Sequence, residues 1–359
     1  MKQNIYLFLL CIIFVFSCND PVFYMIQAEI KPAEPAIPGS PSKIVSDGTN
    51  LYVANGNLWK WEPAATPEAS KWHHIQKPGG NVRDVAYIGG HLFALSVGND
   101  SASLSYTTDL VNYSNWTNVP NNSGFEFIQS VYAASDICAV LARKSKSDEY
   151  DILVYDNNSR TLTETGFNKK ISGIAKFNGK YYIAAADGVY IADFTPAVTI
   201  DVIPDTKEKS VWMGITADND RIVAVSLNGY VYYNDTSSRE KVERKDDSNS
   251  FTGAVCFWEN EGSVYALIGI HGSSYTNGYR ELEITTDGAL GKYVKPESIS
   301  VAESEKYSST IGTHAISSIL QPPGNIKAKG EGDNRPLLFA SSQQNGLWSY
   351  RGVWNAEEK

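Results

Sequence analysis

The chain has 359 residues, of which 42% are hydrophobic, 12% aromatic and 20% charged, and its formal net charge is −9. That length suits one large repeat-built domain behind a leader. The balance is acidic, and with no larger basic cluster than Lys327–Lys329 and the scattered Arg143, Lys144 and Lys146 the electrostatic footprint of a nucleic-acid binder is missing.

Lys2 precedes an apolar run from Ile5 to Phe16. The run is too short to span a bilayer, which takes ~20 residues, but it suits the core of a secretory signal. It ends in Val15-Phe16-Ser17-Cys18. A small residue followed by Cys at that point resembles a bacterial lipoprotein signal, with Phe16 a departure because a smaller residue is commoner there. The resemblance implies a signal peptide over residues 1–17, acylation of Cys18 with palmitate-type chains, and lipid anchoring in the bacterial cell envelope, the leaflet left open. Two or three chains would hold firmly, since each buried methylene contributes ~0.8 kcal/mol.

Residues 18–41 read as the acylated Cys and its tether. The stretch KPAEPAIPGSP, with Pro32, Pro35, Pro38 and Pro41, favours an extended, semi-rigid spacer. Before it, residues 21–30 (PVFYMIQAEI) read either as an outer strand added to the last blade or as an apolar part of the linker.

Residues 42–359 are occupied by a repeat, clearest in Ile171–Phe194. There, apolar residues alternate with the period of two that a half-buried strand needs, and Asn178-Gly179 and Asp187-Gly188 supply turns. A first strand recurs as apolar, any, small-or-Asp, apolar: Val82-Arg83-Asp84-Val85, Ile128-Gln129-Ser130-Val131, Ile171-Ser172-Gly173-Ile174, Trp212-Met213-Gly214-Ile215, Phe251-Thr252-Gly253-Ala254 and Ile316-Ser317-Ser318-Ile319, with Pro41-Ser42-Lys43-Ile44 a looser copy. Second strands begin at Leu51, Leu92, Ile137, Tyr181, Ile222, Val264 and Leu337, at spacings of 41, 45, 44, 41, 42 and 73. Five of these fall in the ~40–45-residue period of a four-stranded propeller blade, and the last spans an insertion. Third strands end in Glu62, Asp109, Asp156, Asp193, Asp235 and Asp287, where an acidic side chain can bond the turn backbone. The predicted fold is therefore all-β, a seven-bladed β-propeller of four-stranded antiparallel blades. Small residues recur on the first strand because innermost strands crowd around the axis. The recurrent rings, Trp59, Trp61, Trp348, Tyr190 and Tyr232 among them, fill the gaps between blades. Cys138 and Cys256 fall in separate blades and read as buried free thiols.

The copy Ser105-Tyr106-Thr107-Thr108-Asp109…Trp116-Thr117 resembles the Asp-box of sialidases and related propeller proteins, and Thr285-Thr286-Asp287-Gly288 is similar to a truncated one. Val111 stands where that motif has Gly, and Trp116 comes later than its Trp. The resemblance implies a structural turn and no activity. A sialidase needs an arginine triad opening with an Arg-Ile-Pro segment, and a serine hydrolase a Gly-x-Ser-x-Gly elbow; neither segment occurs. The histidines have no zinc-module spacing. No metal and no cofactor are expected.

In such a ring, the loops between second and third strands and the loops joining blades emerge on one face. Residues 123–127, 143–150, 208–212, 271–280 and 297–314 should therefore share a rim, while the insertion at residues 321–336 should lie elsewhere. On that rim the candidate contact residues are Phe125, Arg143, Trp212, His271, Tyr275, Tyr279, Arg280, Tyr307 and His314. The three tyrosines lie in insertions, where exposed rings mark contact surfaces. The expected function is non-catalytic: a monomeric envelope propeller that binds an envelope protein, a host protein or a glycan. Two alternatives stand beside it. One is a carbohydrate-active hydrolase or lyase using His271, Tyr279, Arg280 and His314; the other is a scaffold in envelope protein assembly.

Overall fold

The computed structural model describes residues 36–64, 71–98, 101–144, 147–194, 198–207, 209–246, 250–260, 262–271, 278–285, 288–294, 315–324, 326, 336–350 and 354–357. Cys18, residues 22–30, Tyr275, Tyr307 and His314 lie outside them. The chain forms seven four-stranded antiparallel sheets, each built from consecutive strands: residues 45–75, 81–118, 127–164, 171–202, 212–244, 250–294 and 316–356. These are blades 1 to 7 of a β-propeller.

The apolar side chains cluster in layers between sheets, each layer drawing on two neighbours. Tyr52, Val85 and Tyr113 fill the gap between blades 1 and 2; Phe93, Tyr106 and Tyr155 that between 2 and 3; Ile152, Ile174 and Tyr190 that between 3 and 4. Trp212 and Tyr232 pack against blade 4, Phe251 and Leu282 against blade 5, and Trp348 and Trp354 against blade 6. A seventh layer, with Trp61, Trp72 and Phe339, joins blade 7 back to blade 1 and closes the ring. Both faces of the sheets are thus covered, so the second strands are apolar on both sides at their middles, as in the fully buried run Leu92–Leu95.

Closure uses a segment that the sequence assigns to the tether. Ala36 donates to Glu357 O (2.6 Å), Leu347 to Ile37 O (3.0 Å) and Gly346 to Gly39 O (2.7 Å), and Gln344 donates to Ser40 Oγ (2.9 Å). Ile37 is fully buried against the blade 7–blade 1 layer. The propeller therefore begins before Ser42: the prolines that make this stretch extended also make it a good lacing strap.

Around the axis the third residue of the first-strand motif is small in blades 3 to 7, in three of them for a measurable reason. A Cβ on Gly214 would lie 2.2 Å from Gly253 O, one on Gly253 2.5 Å from Met213 O, and one on Gly173 2.9 Å from Ile215 Cγ2. The equivalent positions in blades 1 and 2 carry charge instead, and they neutralise each other. Lys43 Nζ pairs with Asp84 Oδ2, which also accepts Val131 N–H (3.0 Å), while Asp84 Oδ1 accepts Val85 N–H (3.0 Å). One carboxylate thus ties blades 1, 2 and 3.

Acidic residues closing third strands accept turn N–H groups. Asp109 takes those of Asn112 (3.0 Å) and Val111 (3.3 Å), Asp156 those of Asn158 (2.9 Å) and Ser159 (3.2 Å), and Asp235 those of Ser237 (2.9 Å) and Arg239 (3.2 Å). These backbone donors hold Asp109 and Asp156 below the usual carboxylate range. Cys138 and Cys256 are buried and free.

Candidate functional site

Consecutive antiparallel strands place the turns between second and third strands, and the links between blades, at one end of the ring. That end has an unusual local geometry. In the first strand of blade 2 the register passes from Val82↔Ser96 to Asp84↔Leu95, skipping Arg83. The same step skips Gln129 in blade 3, Ser172 in blade 4, Met213 in blade 5 and Ser317 in blade 7. In blade 6 it is wider, from Phe251↔Ile270 to Val255↔Ile268. Each is a β-bulge, which kinks the strand toward the crowded axis and re-aims the extra side chain.

The re-aimed side chains of Arg83, Gln129, Ser172 and Ser317 line two adjoining cavities. One, of about 650 Å³, sits over the axial mouth between Ser42, Lys43, Asn55, Arg83, Asp84, Gln129 and Ser317. The second, of about 860 Å³, lies across blades 2, 3 and 4 and shares Arg83, Gln129 and Ser130 with the first. Its wall combines Arg83, Arg143 and Lys170 with Val97, Phe127, Ile128, Leu141 and Ile171. Among the described residues lining it there is no carboxylate, in a chain of net charge −9. Arg83 and Lys170 are exposed and, among the described residues, neither has an ion-pair partner. Arg143 ends the second strand of blade 3, with its guanidinium carbon 5.9 Å from the centre of the Phe127 ring. Among the described residues its buried Nε has no hydrogen-bond partner, and Nη1 has a loose contact, 3.9 Å, to the carboxylate of Asp148, a side chain 94% exposed.

A third cavity, also about 650 Å³, is the axial channel, lined by the first strands of all seven blades. Its ionisable groups are engaged in the fold. Lys43 is paired with Asp84 and lies 5.0 Å from the centre of the Tyr132 ring. Asp47 accepts Thr49 N–H (2.8 Å), Asn50 N–H (2.6 Å) and Tyr52 O–H (2.7 Å). Burial works to raise its pKa, but these donors outweigh burial and hold it low. Burial pushes the Tyr132 phenol up, and it pushes the Cys256 thiol to about 12, so neither ionises near neutrality. Among the described residues no cluster of three His, Cys, Asp or Glu is placed to hold a metal.

The residues expected on the rim are divided by the structure. Arg143 lies on the second cavity, and His271 is exposed at the end of the second strand of blade 6. Trp212 is not a surface residue: it is fully buried between blades 4 and 5, with its Nε1–H on Thr206 O (3.1 Å). Phe125 is likewise buried, in the layer between blades 2 and 3. Tyr279 and Arg280 do not belong to an insertion, because the third strand of blade 6 already begins at Gly278. Tyr279 is 1% exposed and meets Trp354 edge-on at 5.7 Å, in the layer facing blade 7. Strand alternation turns the buried Arg280 the other way, toward blade 5, with Leu282. The pair offered for a hydrolase therefore diverges into two different gaps.

Arg83, Gln129, Lys170 and Ser172 were not singled out by sequence reasoning. Arg83, Gln129 and Ser172 occupy the second position of the first-strand motif, and Lys170 immediately precedes the motif of blade 4: the second position tolerates any residue, and this tolerance is itself the mark of a side chain pushed out of the ladder.

No protein-family model matches the chain. It is 21% identical, over 94% of its length and 91% of the other protein's, to an uncharacterised lipoprotein of Treponema pallidum (strain Nichols). Among solved structures it resembles the WD40 β-propeller domain of Doa1, with a TM-score of 0.55 at 10% identity over 90% of this chain and 95% of that one. It also resembles PorZ, a surface component of the type-IX secretion system of Porphyromonas gingivalis, with a TM-score of 0.53 at 12% identity over 91% of this chain and 39% of that one. YCF48 bound to D1 peptide gives a TM-score of 0.52 at 13% identity over 89% and 93%. At such identities these structures speak for the fold alone, and the chain is a seven-bladed β-propeller with a lipoprotein relative.

Proposed function

We propose that this chain is a lipid-anchored bacterial envelope propeller that works by binding a partner, without catalysis, on the face carrying the bulged side chains. One observation carries the reading: the adjoining cavities on that face hold cations, hydroxyls and a ring around open space, while the ionisable groups of the axial channel are engaged in the fold. Binding needs the first arrangement, whereas an enzyme needs convergent, tuned groups in the second. The relative described as a lipoprotein supports the anchor, with Cys18 as the acylated residue. The partner is an envelope or host protein, or a glycan, met by a single copy of the chain.

Two measurements test this reading. Cys18→Ala should move the protein from the membrane to the soluble fraction and abolish palmitate labelling; unchanged fractionation would sink the anchor. A photo-crosslinking residue at Gln129 should capture a partner in native envelopes, whereas one at Lys180, on the opposite face, should not. Equal capture from both sites, or from neither, would remove the binding face.

A further inference from the structure

We infer that the second cavity is a receptor for a carboxylate-bearing, partly apolar peptide segment of a protein partner. This rests on the binding reading above and specifies its ligand. Arg83, Arg143 and Lys170 come from three successive blades and three different local settings: a bulge, a strand end and an inter-blade link. All three line one space of about 860 Å³ with no described carboxylate among its walls. In a chain with more acids than bases, a group of cations with no described carboxylate beside it in the wall attracts anions. Arg143 supports this most directly. Among the described residues its Nε–H has no partner, and Nη1 makes a loose contact to an exposed side chain. The Arg143 side chain is still 35% exposed, so its outer guanidinium N–H groups are open to a planar carboxylate, the partner that fork matches best.

The rest of the wall indicates what carries the carboxylate. Half-buried Val97, Ala102 and Phe127 give the cavity an apolar side, which a hydroxyl-rich sugar or a bare phosphate would leave in poor contact and a leucine- or valine-type side chain would cover. The bulged residues stand outside the strand ladder, and an extended peptide is the ligand whose backbone can pair with groups a ladder leaves over. Acidic and apolar side chains alternating along an extended segment present both chemistries to such a wall.

The probe is a fluorescein-labelled hexapeptide alternating glutamate and leucine, with a free carboxyl terminus, titrated into the full-length chain in detergent micelles. Saturable binding is expected, falling as salt rises and weakening ~10-fold or more in Arg143→Gln and in Arg83→Gln. Arg83 is exposed, and both variants should keep the wild-type melting temperature. Equal binding of an amidated glutamine–leucine peptide, tighter binding of an oligogalacturonate or of inorganic phosphate, or affinity unchanged in both variants would each overturn the assignment. In native envelopes, capture from Gln129 should fall ~10-fold when Arg83, Arg143 and Lys170 are all changed to glutamine. Undiminished capture in that variant would overturn the anionic ligand and leave the binding face standing, whereas no capture by the wild type would remove the binding face itself.

Discussion

Asp84 shows how much one side chain can hold in a ring. Its side chain is 12% exposed, it pairs with Lys43, and it accepts two backbone N–H groups from two blades. Asp84→Ala would leave Lys43 and Val131 N–H without their acceptor, and about 3 kcal/mol of stability should go with it. A urea midpoint within error of wild type would show that the staple is dispensable. Tyr279 makes the opposite point about reading residues one at a time. In the sequence it sits next to a Gly-rich stretch and suggests a surface ring, but the fold buries it on Trp354. Tyr279→Ala should therefore cost about 3–5 kcal/mol by opening a cavity between blades 6 and 7. A near-neutral denaturation midpoint would return that ring to the surface.

Among the elements, the innermost strand is the most constrained. At Gly214 an added Cβ meets backbone, the carbonyl of Gly253, so no rotamer change relieves it. Gly214→Val should destabilise by at least about 1–3 kcal/mol through overpacking, and a variant as resistant to denaturant as wild type would mean that the inner strands can spread. The small residue of this motif is legible in the sequence because it recurs in blades 3 to 7. The bulge just before it is not: a register shift leaves no side-chain preference at the extra residue, which is why Arg83 and Gln129 pass unnoticed in the sequence. Phe125 and Trp212 fail for a related reason. Both lie near loops, and whether a ring near a loop turns outward or into the gap depends on the neighbouring blade, which one strand's pattern does not contain.

For the whole molecule, stability depends on closing the circle. A chain beginning at Ser42 lacks the bonds from Ala36, Ile37, Gly39 and Ser40 to the last blade and the burial of Ile37. It should be less stable than one beginning at Pro35 by about 3–5 kcal/mol, from one buried isoleucine and several hydrogen bonds. Equal melting temperatures would show that the lacing strap is passive.

Acid should open the ring as well. In Asp136, Asp187 and Asp235 burial works to raise the pKa, but Lys176 with Tyr181, Lys169 with Tyr190, and Arg239 with Tyr233 outweigh it. Their folded values lie below the unfolded value of about 3.9. The stabilisation is thus complete above about pH 4 and is lost as pH falls through the folded values. On the alkaline side Tyr233 is pushed up to about 12, by burial first and then by Asp235. Its contribution is complete below about pH 10, the unfolded value, and fades as pH rises toward the folded one. Melting temperatures flat between about pH 5 and 9 and falling on both sides are expected; a fall beginning near neutrality would implicate other groups.

The sequence by itself determined the number of blades, their four strands and the small residue near the axis, because those features repeat and a repeat can be read against its own copies. Which side chains reach the open face was decided only by tertiary structure. Bulges, strand ends and links from three different blades bring Arg83, Arg143 and Lys170 to one cavity, and that meeting depends on the curvature of the ring, which no single stretch of chain encodes.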